Sequence, residues 1–225
     1  LMCEPNGNAS LDIWDPDTFY DQYTASGYDW NAWYPNLVSA VRKVDALTPI
    51  LVGANNYSTV KWLPYLKPLD DPFIIYTIHQ YLPHEYTHQE PPTLKYSYPG
   101  YFDTNYDNQP ESFDFKWLKR LLATASDFQS ENQAIMAVNE FGLQRWEPGG
   151  ARYVYDQINL FEDYGWNFAA WLWYASWPPL AEGDNSFNFL FGPDPSNLKE
   201  VTNSLLQTYQ EAWERNTVRP SNFKL

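Results

Sequence analysis

Two glutamates, a histidine and a tyrosine each end or follow a short apolar run, and together they suit acid–base chemistry. Glu4 follows the first run, His79 and Tyr81 lie at the end of the third, and Glu140 follows the fourth. Two carboxyl groups can cleave a glycosidic bond when one protonates the leaving oxygen and the other stays ionised as nucleophile or base. A histidine and a tyrosine beside them can orient such groups by hydrogen bonds. The set indicates hydrolysis of a sugar linkage.

Short apolar runs alternate along the chain with amphipathic stretches of helical period. The predicted strands are residues 1–3, 49–53, 73–79, 134–138 and 167–173. The predicted helices are residues 29–47, 57–67, 113–130, 149–164 and 197–215, and the predicted loops are residues 82–111 and 179–195. The inward residues expected are Leu37, Val41, Val44 and Leu47 in the first helix and Leu198, Val201, Leu205, Tyr209 and Ala212 in the last, for which Ser196 is the expected N-cap.

This alternation predicts an α/β fold with a parallel sheet and right-handed crossovers. The five strand–helix units fit a doubly wound sheet, and they also fit an eight-unit barrel with three units upstream. In both folds the carboxyl ends of the strands meet at one edge of the sheet, so the candidate residues are expected to converge there. Because no linker or repeat interrupts the sequence, residues 1–225 are interpreted as a single domain.

Composition and charge exclude several classes of partner. The chain has 225 residues, with 14 basic against 28 acidic side chains and a formal net charge of −14. Such acidity argues against nucleic acid and anionic membrane surfaces and suits a neutral substrate. A single cysteine, Cys3, excludes a disulfide framework and a cysteine zinc cluster. No apolar run is long enough for a membrane span, and the first residues have neither region of a signal peptide.

Aromatic side chains make up 19% of the chain, and the sequence alone leaves two interpretations open. They could form a large core, or they could form a surface on which sugar rings stack. Trp171 and Trp173 lie two residues apart in the last predicted strand and would share a face. Trp146, Tyr86 and Tyr98 lie in predicted loops, where they could extend a cleft or simply pack.

Four short motifs carry a resemblance to a known family. The sequence resembles the C-terminal part of glycoside hydrolase family 5, the cellulase family of clan A, and the resemblance runs from residue 1 to about residue 215. The motifs, in the order they have in the family, are Cys3-Glu4-Pro5 (Asn-Glu-Pro in the family), His79-Gln80-Tyr81 (His-x-Tyr), Glu140-Phe141-Gly142 (Glu-Phe-Gly) and Tyr164-Gly165-Trp166 with Trp171. The resemblance implies a partial (β/α)8 barrel made of strands 4 to 8.

The resemblance also implies a role for each candidate catalytic residue. Glu4 would be the acid/base and Glu140 the nucleophile of a retaining, double-displacement mechanism. Tyr81 would hydrogen-bond Glu140, and His79 would line the site near Glu4. These residues correspond to motif positions of the family and are expected to meet although Glu4 and Glu140 are far apart in sequence.

The same resemblance implies a substrate and a setting. Trp171, with Trp173 as the other candidate, would stack under the sugar, and Trp146 would extend the cleft. The expected substrate is a β-1,4-linked polysaccharide, with cellulose or β-glucan ahead of mannan, and the expected location is extracellular. No cofactor and no metal are expected, and the oligomeric state stays open. A non-catalytic carbohydrate-binding protein is the alternative from another class.

Two departures from the family bear on activity. Cys3 stands where the family has an asparagine that hydrogen-bonds the sugar, and a thiol is a weak donor in its place. The family's first three strands have no counterpart in this chain, so we expect a piece truncated at its N-terminus that folds poorly alone. Whether this piece alone is active stays open.

Residues 84–88 read His-Glu-Tyr-Thr-His, which matches the H-E-x-x-H pattern of zinc proteases. That pattern binds zinc when both histidines lie one turn apart on a helix and a third ligand is near. Prolines flank the segment on both sides, and no apolar helical stripe surrounds it. A cleft loop is therefore favoured over a zinc protease.

Overall fold

The helices and strands are given by a computed structural model, which describes residues 1–173 and 185–216. In chain order they are α1 (Pro16–Tyr23), α2 (Trp30–Arg42), β1 (Ile50–Gly53), β2 (Ile74–Gln80), α3 (His84–Thr87), β3 (Gly100–Phe102), β4 (Glu111–Phe113), α4 (Phe115–Asn132), β5 (Ile135–Phe141), α5 (Gly150–Asp163), β6 (Asn167–Ala170) and α6 (Ser204–Glu214). Short 3₁₀ helices lie at Ala9–Leu11, Val60–Tyr65 and Phe189–Phe191. The chain groups into two compact units.

The first unit comprises residues 1–80, 119–141 and 163–169. It holds a four-stranded sheet in the order β1-β2-β5-β6, in which β1 pairs with β2 and β2 with β5 in parallel. Strands and helices alternate along this part of the chain, as a parallel sheet with crossover connections requires. The predicted α/β class with a parallel sheet is confirmed.

One face of the sheet is buried. Tyr76 and Ile78 of β2 and Met136 and Val138 of β5 all point to this face and are almost inaccessible to water. Tyr76 packs edge to face against Phe128 of α4, with 5.3 Å between ring centroids. This layer of aliphatic and aromatic side chains is the core of the unit.

The opposite face carries a row of aliphatic side chains and then the polar residues at the strand ends. Leu51, Ile75 and Ile135 are aligned across three strands by the parallel register. Leu51 is 43% exposed and Ile135 is 54% exposed. His79 follows Ile75 by four residues in β2 and therefore lies on the same face. The sheet therefore presents the candidate site on its less covered face.

Helix α2 confirms the predicted element but not the predicted inward face. The Asp29 carboxylate accepts a hydrogen bond from the Asn31 amide and caps the helix. Its buried residues are Trp30, Tyr34 and Val38, which are spaced by one helical turn. The predicted face is wrong, because Leu37, Val44 and Leu47 are 42%, 92% and 68% exposed and the helix ends at Arg42.

Two further helices follow the sequence pattern closely. The helix predicted at residues 113–130 is α4, in which Leu118, Leu122 and Ala125 of the predicted apolar face are fully buried, whereas Phe115 of the same face is 38% exposed. Helix α5 was predicted over residues 149–164 and spans Gly150–Asp163. In α5 the apolar residues Val154, Ile158 and Phe161, whose helical spacing predicts one face, are also buried.

The second unit comprises residues 81–118, 142–162 and the described residues from 170 onward. Its core is an aromatic cluster in which Tyr86 and Tyr98 pack edge to face on Phe113, at 5.1 Å and 4.9 Å between centroids. Tyr153 joins the same cluster. Because Tyr86 and Tyr98 are buried, they are core residues rather than part of a sugar-binding surface.

Several predicted boundaries in this unit are wrong. The loop predicted at residues 82–111 contains the one-turn helix α3 and the strand β3, which pairs antiparallel with β4. Helix α6 begins at Ser204 rather than near Ser196, because the Asn203 side chain accepts from the Leu206 amide and caps it. Leu198 and Val201 lie before the helix and are exposed. The predicted loop at residues 179–195 lies partly outside the described residues.

The first predicted strand, residues 1–3, is not a strand. Its terminal amine donates to the Leu51 carbonyl at 2.9 Å, and the Cys3 carbonyl accepts from the Ser58 hydroxyl, but no ladder forms. The parallel sheet of the described residues therefore has four strands instead of the predicted five. Across residues 1–173 and 185–216, none of the helices has both the length and the apolar character needed to traverse a bilayer.

Candidate active site

Four of the sequence-predicted or family-matched side chains meet at the carboxyl ends of β2 and β5, within the first unit. His79 Nδ1 lies 2.8 Å from Glu4 Oε1 and 3.4 Å from Glu140 Oε2. The Cys3 thiol donates to Glu140 Oε1 at 3.4 Å and lies 3.8 Å from His79 Nε2. The prediction that Glu4, His79 and Glu140 converge agrees with this geometry.

A break in the strand register places Glu140 beside His79. Ile78 pairs with Val138, but the next residue of β2, His79, pairs with Glu140, so Asn139 is an extra residue in β5. An unbroken register would pair His79 with Asn139 and turn Glu140 to the buried face, because side chains alternate along a strand. Such bulges re-aim a side chain. This one brings the carboxylate to the face that carries the imidazole.

A left-handed turn after β1 positions the segment that contains Cys3 and Glu4. Asn56, Tyr57 and Ser58 have φ angles of 58°, 59° and 59°. The Ser58 hydroxyl donates to the Cys3 carbonyl at 2.9 Å, and the Ser58 carbonyl accepts from the His79 amide at 2.9 Å. Ser58 thus connects the first segment to the end of β2.

Gly53 at the end of β1 makes room for that hydroxyl. A Cβ atom built at position 53 would lie 2.0 Å from the Ser58 Oγ, so the Ser58 side chain would have to move away from this position. The Asn8 amide also donates to Asn56 Oδ1 at 3.1 Å and holds the other side of the turn. Sequence reasoning missed Ser58. Its signal was the preceding Asn55-Asn56 pair, since asparagine accepts the left-handed region more readily than most residues.

Exposure differs among the four side chains. The His79 side chain is 2% exposed, that of Glu140 is 20% exposed and that of Glu4 is 42% exposed. Cys3 is exposed as well. Partial burial and the nearby carboxylates of Glu140 and Glu4 raise the pKa of the Cys3 thiol to about 11, so Cys3 is a neutral thiol at neutral pH.

The two carboxyl groups are near each other. Their oxygens share His79 Nδ1 as a neighbour at 2.8 Å and 3.4 Å, so the two oxygens are at most about 6.2 Å apart. A retaining glycosidase keeps its two carboxyl groups about 5–5.5 Å apart, and an inverting one about 6.5–9.5 Å. The imidazole beside both carboxylates can donate a hydrogen bond and disperse their negative charge.

The other predicted site residues lie in the second unit. Tyr81 directly follows β2 and contacts Phe187 and His88 edge to face, each at 5.8 Å between centroids. The Trp146 indole donates to the Gln89 carbonyl at 2.7 Å, and this hydrogen bond holds the ring in place. The expected roles of Tyr81 and Trp146 towards a substrate stay predictions.

Trp171 and Trp173 do not share the face of a strand as expected. Strand β6 ends at Ala170, so the two-residue alternation on which that expectation rested does not extend to them. Trp173 is 55% exposed and packs near Trp213 of α6, with 5.6 Å between centroids. Trp171 is partly buried, and stacking of either indole on a sugar stays a prediction.

The His-Glu-Tyr-Thr-His segment forms the one-turn helix α3, where a loop was expected. The rings of His84 and His88 stack face to face, with 3.7 Å between centroids and 8° between planes. Burial lowers the pKa of His88 to about 3. Nitrogen lone pairs in two stacked planes do not converge on one ion, and among the described residues no thiol or carboxylate completes a cluster with this pair.

A buried carboxyl group in the second unit was also missed. Glu147 is 5% exposed, and its Oε1 accepts from the Gln89 amide at 2.8 Å. Burial raises the pKa of Glu147 to about 8, although the hydrogen bonds from Gln89 oppose the shift. Nothing in the local sequence around Trp146 distinguishes this glutamate from an exposed one.

Paired carboxylates at the carboxyl ends of the strands of a parallel sheet form the class of site that is used in glycoside hydrolysis. The model of the family described as "Cellulase (glycosyl hydrolase family 5)" matches residues 1–176. The chain belongs to this family. The family resemblance of the four motifs is confirmed.

Individual relatives agree with the family match. The chain is 27% identical over 165 residues to Endoglucanase C of Acetivibrio thermocellus. The match covers 63% of this chain and 48% of that protein. The chain therefore spans about half the length of the curated relatives it matches.

Solved structures with low sequence identity share the fold. A hyperthermophilic endo-beta-1,4-glucanase, solved in complex with substrate, has a TM-score of 0.60 and 20% identity over 90% of this chain and 65% of its own. Thermotoga maritima Cel5A, solved in complex with mannotriose, has a TM-score of 0.58 and 20% identity over 86% of this chain and 55% of its own. The predicted fold, a partial (β/α)8 barrel, is confirmed.

Proposed function

We propose that this chain carries the catalytic glutamates of a retaining glycoside hydrolase that cleaves β-1,4-linked polysaccharide. The observation that carries the proposal is the pair Glu4 and Glu140, whose oxygens both contact His79 Nδ1 and are at most about 6.2 Å apart. That bound lies below the separations of inverting enzymes and is compatible with retention. Family membership supports the same reaction class.

In the proposed reaction Glu140 is the nucleophile. One of its oxygens forms a bond to the anomeric carbon as the bond from that carbon to the leaving oxygen breaks, and Glu4 gives its proton to that oxygen. Glu4 then takes a proton from water, whose oxygen displaces Glu140. The exposures fit these roles, because the 42%-exposed Glu4 is the carboxyl that transfers a proton twice per turnover, first to the leaving oxygen and then from the attacking water.

The buried His79 would position both carboxyl groups. Its backbone amide donates to the Ser58 carbonyl, and its ring nitrogen Nδ1 contacts both Glu4 and Glu140. A fixed donor beside the nucleophile costs no reorganisation during the reaction. We propose that Tyr81 also donates to Glu140 and that Trp171, with Trp173 and Trp146 as further candidates, stacks on sugar rings.

For the substrate we propose β-1,4-glucan, with mannan as the second candidate. The relatives named endoglucanase support glucan, and the structure of a related protein with mannotriose supports testing mannan. The oligomeric state is open. A polymer too large to enter a cell must be met outside it, and on this ground we propose that the protein is secreted.

The experiment is covalent trapping. An activated 2-deoxy-2-fluoro-cellobioside is incubated with the chain, and the peptides are analysed by mass spectrometry. A retaining enzyme accumulates the fluoroglycosyl ester, so we expect the label on Glu140 and no label in Glu140→Gln. Trapping needs one bond-forming step only and therefore detects activity too slow for a turnover assay.

Two further readouts decide among the alternatives. Reducing-sugar release from glucan and from mannan, measured side by side, ranks the two substrates. Oligosaccharide binding that persists unchanged in Glu140→Gln, without any label on the wild-type chain, would support the non-catalytic carbohydrate-binding alternative. Label on a residue other than Glu140, or product released with inverted configuration, would contradict the proposed mechanism.

A further inference from the structure

Three different metal-ligating side chains surround one point in the first unit. They are the Cys3 thiol, the His79 imidazole and the Glu140 carboxylate, and one ligand atom from each lies within 4.8 Å of the other two. Cys3 Sγ is 3.8 Å from His79 Nε2 and 3.4 Å from Glu140 Oε1. Sulfur, imidazole nitrogen and carboxylate oxygen are the ligand types that Zn²⁺ takes in proteins.

These separations fit a tetrahedral ion. With a Zn–S bond of about 2.3 Å and Zn–N or Zn–O bonds of about 2.0–2.2 Å, tetrahedral angles put the ligand atoms about 3.4–3.6 Å apart. The two distances from the Cys3 sulfur, 3.8 Å and 3.4 Å, lie within a few tenths of an ångström of these values. The third separation, between the imidazole and the Glu140 carboxylate, is within 4.8 Å, and Glu140 Oε2 lies 3.4 Å from Nδ1, so binding through Nε2 requires the carboxylate to turn toward that nitrogen.

Glu4 supplies the orientation that a zinc-binding imidazole needs. When Glu4 is a carboxylate, the form that follows proton transfer in the proposed reaction, it can only accept, and its 2.8 Å contact then places the hydrogen on His79 Nδ1. The lone pair is then on Nε2, which is the nitrogen nearer to Cys3. Carboxylate–histidine pairs of this kind fix the tautomer and raise the basicity of the ligand.

The site is accessible and its backbone is fixed. Cys3 is exposed, which gives an ion a path of entry, whereas the His79 side chain is 2% exposed and held in place. The segment with Cys3 is tied to the turn at Ser58 by the hydrogen bond to its carbonyl. A ligand set spread over three parts of the chain is therefore largely pre-formed.

We propose that Cys3, His79 and Glu140 bind a thiophilic divalent cation such as Zn²⁺, with water as the fourth ligand and Glu4 as the orienting partner of His79. On binding, the S–H bond of Cys3 breaks, its proton leaves to water, and the sulfur becomes a thiolate ligand. Because the cation binds the Glu140 carboxylate, the metal-bound form cannot use that carboxylate as a nucleophile. This inhibitory consequence rests on the proposed function, whereas the binding itself does not.

The test uses Co²⁺ as a spectroscopic probe on the full chain. Cys3 is the only cysteine of the sequence, so a thiolate-to-cobalt charge-transfer band can arise from no other residue. We expect one ion per chain and a band that Zn²⁺ displaces. Cys3→Asn should lose the band, and Glu4→Ala should weaken binding about 10- to 100-fold, as loss of such an orienting partner does.

A matched control separates this site from the other histidines. The double variant His84→Gln with His88→Gln removes the remaining two histidines of the chain and should bind Co²⁺ as the wild type does. Cys3→Asn is at an exposed position, and its circular dichroism should match the wild type. Absence of the band in the wild type, or a band of unchanged affinity in Glu4→Ala, would overturn the proposal.

The two proposals can fail separately. Cobalt binding is measured without substrate, and trapping on Glu140 is measured without metal. When both succeed, saturating Zn²⁺ should block the label on Glu140 and a chelator should restore it. A label that forms at the same rate on the Zn²⁺-saturated chain would overturn the ligand role of Glu140.

Discussion

The hydroxyl of Ser58 is a small group on which the placement of the site depends. It is fully buried, it lies over Gly53, and it donates to the Cys3 carbonyl at 2.9 Å. Ser58→Ala removes this hydrogen bond and leaves the left-handed backbone unchanged. The first segment, with Glu4, would then be held less firmly against the end of β2.

The expected loss of stability follows from the bond and its surroundings. A net hydrogen bond contributes about 0.5–1.5 kcal/mol, and a buried acceptor left without a partner costs about 1–3 kcal/mol. Because this hydrogen bond is only part-buried, we expect Ser58→Ala to cost about 1–1.5 kcal/mol. Ser58→Gly loses the same bond but relieves the φ of 59°, a conformation that costs a residue with a Cβ roughly 1 kcal/mol or more.

The assay is urea unfolding of the three proteins, followed by circular dichroism and by tryptophan fluorescence, whose transitions must coincide. We expect the wild type to be the most stable, Ser58→Gly to be intermediate and Ser58→Ala to be the least stable. A Ser58→Ala protein as stable as the wild type would show that the bond does not hold the segment. A Ser58→Gly protein less stable than Ser58→Ala would refute the argument about the turn.

Two further predictions concern stability. Below the unfolded pKa of about 4.5 the contribution of Glu147 is fully present, and it is lost as pH rises through the folded value of about 8. In that window the free energy of unfolding of the wild type should fall by up to about 1.4 kcal/mol per pH unit, and Glu147→Gln should show a smaller fall. Equal slopes in unfolding measurements of the two proteins would contradict this. Val38→Ala should cost about 1.5–3 kcal/mol in urea unfolding and Val44→Ala less than about 0.5 kcal/mol, since Val38 is 4% and Val44 is 92% exposed.

The strands of the sheet were readable in the sequence because they are almost continuously apolar. The runs at residues 49–53, 73–79 and 134–138 correspond to β1, β2 and β5, with shifts of at most three residues at their ends. A buried parallel strand has little other signature, and these runs are bounded by polar or turn-forming residues. The same logic predicted that Glu140 and His79 lie near each other, because carboxyl ends of parallel strands meet.

The face of α2 could not be read in the same way. Four aliphatic residues at helical spacing predicted one face, but the buried series is Trp30, Tyr34 and Val38, and the helix ends at Arg42, before the last two aliphatic residues. Val44 and Leu47 follow the last turn and have no helix to hold them inward. Helix ends depend on tertiary contacts, so periodicity that continues past the true end misleads.

The details of the site depend on features that no local pattern contains. One extra residue in β5 turns Glu140 to the face of His79, and a left-handed turn holds Cys3 across from both. From the sequence alone, Cys3 indicates only the loss of a strong hydrogen-bond donor, because a thiol stands where the family has an amide. In the structure the same atom lies 3.4 Å from a carboxylate that is 137 residues away in sequence and 3.8 Å from an imidazole. The chemistry of Cys3 is therefore set by this juxtaposition, and under the two proposals cation binding and nucleophilic attack would compete for the Glu140 carboxylate.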